Sequence, residues 1–225
     1  MERIDDLGIN GYKLIQDTDL FCFGTDSVLL SDFANVRPGS RVADLCTGNG
    51  IIPILLCAKY KPGSVVAVEL QEPSYNLACR NVSLNGLDDT IQVIRDDVKN
   101  YREHFPCGSF DVITCNPPYM PAKSGFINPD DKKAIARHEI MVNIRDIISV
   151  AAGMLKFGGH LYMVHRADRL CDIVCTMREY KMEPKRLTFV HPSPGKAPVL
   201  ILIDGMMGAN PSLKIENPIY VNERI

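Results

Sequence analysis

From about residue 40 onward the chain alternates short β-branched runs with longer stretches of helical period, and this alternation confines it to an α/β architecture. Strands are predicted at Arg41–Leu45, Val65–Glu69, Ile91–Arg95, Phe110–Cys115 and His160–His165, with helices near residues 51–59, 73–85, 144–155 and 168–180. Parallel strands joined through helices follow from that order. Two further strands, 186–190 and 198–204, have only His191-Pro-Ser-Pro-Gly-Lys196 and Ala197 between them. So short a connection forces an antiparallel pair at the end of an otherwise parallel sheet. Upstream, Asn10-Gly11 lies between the apolar runs 7–9 and 12–16, a hairpin signal, and Thr25-Asp26-Ser27 opens a helical stretch like a cap.

At 225 residues, with no repeat or low-complexity linker, the chain is expected to form one continuous α/β fold. The expected division is an N-terminal hairpin and helix extension over 1–36, then one domain over 37–225. No apolar run reaches membrane-spanning length, and the first residues lack a secretory signal, so a cytoplasmic location is expected with no membrane partner. Nothing marks an obligate protein partner. The eight cysteines lack metal spacing and are expected to be buried, reduced thiols; Cys171 and Cys175, four apart, are expected on one buried helix face, and no metal site is read. Residues 1–120 carry 10 Lys/Arg against 16 Asp/Glu, and residues 121–225 carry 15 against 11. A basic second half is compatible with nucleic acid and equally with a solvated surface.

After the first of the parallel strands comes Asp44-Leu-Cys-Thr47-Gly48-Asn-Gly50, which puts glycines where the backbone must turn and approach a ligand. Proline at 53 removes the dinucleotide fingerprint, and no Gly-Lys-Ser/Thr follows for a phosphate loop. Asp44 is instead suited to the ammonium or amide of a zwitterionic ligand. Glu69 ends the next strand, where it can accept ribose hydroxyls, and Asp97 follows the third, where it can accept from an adenine amino group. Singly, each acid is more simply a loop carboxylate or cap; together at three successive strand ends they point to a ligand.

With these residues the sequence resembles the class I methyltransferases across nearly its whole length, which implies a Rossmann-like seven-stranded sheet and S-adenosyl-L-methionine as cofactor. By that resemblance Asp44, Gly48 and Gly50 surround the methionine part, Glu69 the ribose and Asp97 the adenine, with Thr47 and Val98 beside them.

The fourth parallel strand ends in Asn116-Pro117-Pro118-Tyr119. Consecutive prolines hold the backbone extended and remove two amide donors, leaving rigid acceptors. An amine conjugated to a ring is a poor nucleophile, so acceptors must pull on its hydrogens. Asn116 Oδ1 and the Pro117 carbonyl can take both, and Tyr119 offers a ring for stacking. The nitrogen can lose its proton afterwards, so no general base is required before attack.

The tetrapeptide resembles the Asn/Asp-Pro-Pro-Tyr/Phe motif of amino-group methyltransferases, which act on adenine N6, cytosine N4, guanine N2 or glutamine amide. Phe23-Gly-Thr25-Asp26-Ser-Val-Leu-Leu30, Ala136-Arg137-His138-Glu139, His191-Pro192 and Lys196-Ala197 are similar to the bacterial tRNA adenine N6-methyltransferases that modify the position beside the anticodon of tRNA(Val). That likeness implies a tRNA partner. It puts Phe23, Thr25 and Asp26 over the cofactor, counts Asn116 among the cofactor contacts as well, and sets Pro118, Tyr119, Lys123, Arg137, His138 and Lys196 against the substrate. Glutamine-amide methylation of a release factor and guanine N2 methylation of rRNA are the alternatives; the first ranks lower because no helical N-terminal recognition domain is read. A non-catalytic RNA-binding module is a further alternative, opposed by the intact acids and tetrapeptide.

Overall fold

The computed structural model describes residues 1–20, 22–118 and 143–221. A hairpin of β1 (Glu2–Asp6) and β2 (Lys13–Asp17) leads through α1 (Thr25–Phe33) into β3 (Arg41–Leu45), α2 (Ile51–Tyr60), β4 (Ser64–Glu69), α3 (Glu72–Leu84) and β5 (Ile91–Arg95). A 3₁₀ turn at Val98–Asn100 and α4 (Tyr101–His104) precede β6 (Phe110–Cys115). Then come α5 (Ile144–Met154), β7 (Leu155–Arg166), α6 (Leu170–Glu179), β8 (Met182–His191), β9 (Leu200–Met207), and the two-residue strands β10 (Lys214–Ile215) and β11 (Ile219–Tyr220).

The main sheet runs β5-β4-β3-β6-β7-β9-β8, with β10 and β11 both on β8. All neighbours are parallel except β9, which is antiparallel to β7 and β8. The chain winds outward from β3 to β5, then returns to lay β6 on the other side of β3. Connections therefore diverge between β3 and β6, where sheets of this kind bind ligands. Apolar side chains of β3 divide by period two: Val42 joins one core with α1, α2 and the hairpin, while Ala43 and Leu45 join a second with α5 and α6. Covered on both faces, the strands read as continuous apolar runs.

The α/β fold, the mostly parallel sheet and its antiparallel member agree with the sequence reading. The differences have local causes. The first hairpin strand lies upstream of the expected 7–9, because Gly8 adopts φ 66° and donates its N–H to Asp6 Oδ1 at 2.8 Å, ending the strand at Asp6. Asn10 and Gly11 take φ 53° and 71°, the left-handed pair that a tight hairpin turn demands. β8 begins four residues before the expected start, its irregular register between Pro184 and Arg186 accommodating a proline that reads as a break. β10 and β11 are too short to leave a periodic signal.

Eight free cysteines are present, but only Cys57 and Cys115 are fully buried; Cys107, Cys171 and Cys175 are exposed. The expectation of a buried Cys171–Cys175 face is wrong. Helix α6 instead buries Ile173 and Met177, which are also four apart and lie on the opposite side. Among the described residues no helix is long and apolar enough to cross a membrane.

The hairpin is fastened to α3 by side-chain amides. Asn85 accepts from Lys13 N and donates to Lys13 O, both at 2.8 Å, while Asn81 accepts from Ile15 N at 2.6 Å and donates to Ile15 O at 3.0 Å. Four helical residues advance about 6 Å and two strand residues about 6.8 Å, so residues four apart on α3 match alternate residues of β2. Asn81, fully buried, also donates to Asn49 O at 2.9 Å, tying the hairpin to the glycine loop.

Candidate active site

The carboxyl ends of β3, β4 and β6 carry the polar residues of the site. Asp44 and Thr114 are cross-strand partners, so their side chains share the face covered by α1 and α2. Thr114 Oγ1 donates to Asp44 Oδ1 at 2.6 Å. Asp44 is completely buried, and desolvation pushes its carboxyl up to about 7; the Thr114 and Thr47 hydroxyls pull it down by less, and Glu69 adds repulsion. Although the Thr47 hydroxyl lies near, it forms no hydrogen bond of good geometry. Asp44 Oδ2, Thr47 Oγ1 and Asn49 Nδ2 are all buried with no hydrogen-bond partner among the described residues. Three such atoms in one loop are costly unless something else completes them.

The loop's path follows from its glycines. Gly48 has φ 59°, and Gly50, at φ 85°, starts α2 where an added Cβ would lie 3.4 Å from Ala78 Cβ. Glu69 holds the loop from the neighbouring strand: its Oε2 accepts from Gly48 N and its Oε1 from Gln71 N, each at 2.9 Å. Asp97 caps the 3₁₀ turn, accepting from Lys99 N at 2.9 Å and pairing with Lys99 Nζ at 3.2 Å; Val98 is buried beside it in the core shared with α5.

Beyond β6 the period of two carries the line Val112, Thr114 on to Asn116, toward α1. Asn116 Nδ2 donates to Asp26 Oδ2 at 3.1 Å and to Ser27 Oγ at 3.0 Å in the first turn of α1. Phe23 is half-buried against the α1–α2 core, whereas Thr25 is exposed. Pro117 is buried and Pro118 exposed. Lys196 is exposed on the turn after β8; its carbonyl accepts from His191 Nδ1 at 2.6 Å. Because β8 runs parallel to β7, that turn stands on the same rim as Asn116, three strand spacings or ~14 Å from β6. Tyr119, Lys123, Arg137 and His138 lie outside the described residues.

The structure thus brings Asp26, Asp44, Thr47, Gly48, Gly50, Glu69 and Asn116 to the junction of β3, β4 and β6, with Asp97 and Val98 after β5 and Lys196 at the far end of the rim. Sequence reasoning missed Thr114, Asn49 and Asn81. Asn81 did carry a signal: with Asn85 it falls on the apolar stripe Leu77, Ala78, Val82 of α3, where an amide needs a buried partner.

Residues 18–179 match the family described as Methyltransferase small domain. The tRNA1(Val) (adenine(37)-N6)-methyltransferase of Bacteroides thetaiotaomicron is 30% identical over 181 residues, covering 80% of this chain and 74% of that protein. The enzyme of the same name from Porphyromonas gingivalis is 30% identical over 185 residues, covering 80% and 72%. Among solved structures, an Agrobacterium tumefaciens protein described as a predicted O-methyltransferase superposes with a TM-score of 0.69 at 22% identity, over 87% of this chain and 86% of that one. The fold, the carboxylates at three strand ends and these matches agree, and the chain belongs to the methyltransferase small domain family.

Proposed function

We propose that this chain methylates adenine N6 in tRNA beside the anticodon, using S-adenosyl-L-methionine. The cofactor supplies an electrophilic methyl group on a sulfonium centre. The residues present fit it: the buried Asp44 Oδ2 has an acceptor position to offer a cationic amino group, and Thr47 Oγ1 and Asn49 Nδ2 are polar atoms in the same loop. Glu69 supplies carboxylate acceptors for hydroxyls, and Asp97, Val98 and the Phe23–Asp26 segment border the same end of the sheet.

The observation that carries the reading is the fixed amide of Asn116. With Nδ2 engaged by Asp26 and Ser27, the amide would present Oδ1 to the cleft. There it can accept one hydrogen of a conjugated amine, and the Pro117 carbonyl the other. Pulling on both hydrogens returns electron density to the nitrogen and stabilises the positive charge that develops on it. Pro118 and Tyr119 would pack on the flat base, while Lys123, Arg137, His138 and Lys196 would meet the phosphates around it. The adenine specificity and the tRNA partner rest on the curated relatives named above, and a tRNA substrate would place the protein in the cytoplasm.

The test is incubation of purified protein with labelled cofactor and unmodified tRNA(Val), followed by nucleoside mapping. Label on N6 of the adenine beside the anticodon is expected. Label in a release factor instead, or on guanine N2 of rRNA, would overturn the assignment.

A further inference from the structure

We infer that Asp26 is a positioning residue for Asn116, fixing which end of its amide faces the acceptor nitrogen. This rests on the proposed function and goes further, since the family resemblance implies only a place for Asp26 over the cofactor.

The two ends of an asparagine amide have nearly the same shape, so packing alone selects poorly between them. Hydrogen-bonding partners must do it. Asn116 has two on α1: Asp26 Oδ2 at 3.1 Å and Ser27 Oγ at 3.0 Å. A serine hydroxyl donates or accepts, and so tolerates either orientation. An ionised carboxylate only accepts. With Asp26 in place, the flipped amide would set Oδ1 against Oδ2, two acceptors with no hydrogen between them. Asp26 is therefore the group that discriminates, and its negative charge also polarises the amide, strengthening Oδ1 as an acceptor.

Three features hold Asp26 for this task. Its Oδ1 accepts from Ser27 N at 2.9 Å. Its place in the first turn of α1 sets its charge near the positive end of the helix dipole. Helix α1 is itself anchored by the buried Leu29, Leu30 and Phe33. Gly24 leaves the space: a Cβ there would come 2.8 Å from Asp26 Oδ1 and drive the carboxylate aside.

The test is a cycle of Asp26→Asn, Asn116→Asp and the double variant, with kcat, tRNA KM, cofactor Kd and melting temperature measured for each. Asp26→Asn is expected to lower kcat about a hundredfold by loosening the amide, with cofactor Kd within about twofold and little change in melting temperature. Asn116→Asp alone sets two carboxylates face to face and falls further. In the double variant the amide introduced on α1 donates to the carboxylate introduced after β6, restoring the bond with roles reversed, so kcat should recover at least about tenfold over Asn116→Asp. A merely structural contact would move melting temperature and leave kcat, and that result would overturn the inference. So would a loss of cofactor affinity at unchanged kcat, or a double variant no faster than Asn116→Asp. If the wild-type protein labels no adenine in tRNA, the proposed function fails by itself. The Asn116 side-chain NH₂ signal in NMR still reads the contact, and its exchange protection must collapse in Asp26→Asn for the inference to stand.

Discussion

The two sides of the cleft between β3 and β6 are finished to different degrees. On the β3 side, the buried Asp44 Oδ2, Thr47 Oγ1 and Asn49 Nδ2 lack hydrogen-bond partners among the described residues. On the β6 side, the Asn116 NH₂ group is already engaged by α1. The first arrangement stores unmet polar capacity that a ligand can complete, which converts directly into affinity. The second is set in advance, so little reorganisation is needed when the amine arrives, which converts into rate. Substitutions on the two sides should therefore separate binding from turnover.

The largest effect is expected at Asn116. Asn116→Ala should lower kcat by roughly 10²–10³-fold while cofactor affinity, measured by calorimetry, changes little. A comparable loss of cofactor affinity would erase the contrast between the sides. Asp44→Asn should do the reverse, weakening cofactor binding by about 2–3 kcal/mol with a smaller effect on kcat at saturating cofactor. It should also raise the melting temperature of the ligand-free protein at pH 8 by ~3–8 °C, since a buried charge is removed.

The pH dependence sharpens the same point. Protonated, the Asp44 carboxyl favours the folded protein; that contribution is complete below about pH 4 and is lost as pH rises through about 7. A cationic ligand needs the ionised form, so cofactor affinity should be about tenfold weaker at pH 6 than at pH 8 and level above that. Calorimetry across this range checks it; in Asp44→Asn the slope should vanish. The smallest functional change is expected from Asn81→Leu. It leaves Ile15 N, Ile15 O and Asn49 O without their side-chain partner, and urea titration should show a stability loss of about 2 kcal/mol, with only a modest fall in cofactor affinity.

How much of this could be read in the sequence depended on chain distance. Asp44, Gly48 and Gly50 sit within one short segment, and Asn116-Pro117-Pro118 is contiguous, so their pattern was visible. Glu69 was placed by strand counting. The contact between Asp26 and Asn116 spans 90 residues, and no local period connects the first turn of α1 with the end of β6; only the sheet order does. Asn81 is separated by 66 residues from the strand it fastens, so its only local trace is an amide on an otherwise apolar helix stripe. The outward turn of Cys171 and Cys175 shows the same limit, since a four-residue spacing fits either side of a helix and Ile173 with Met177 won the buried one.

The seam between β2 and α3 has a consequence for how this protein behaves at high concentration. A bare strand edge is an invitation to any passing chain to add itself, and the backbone groups of Lys13 and Ile15 would form such an edge. Asn81 and Asn85 occupy all four of those groups, so a helix does the work of a closing strand and leaves no template there for fibril growth.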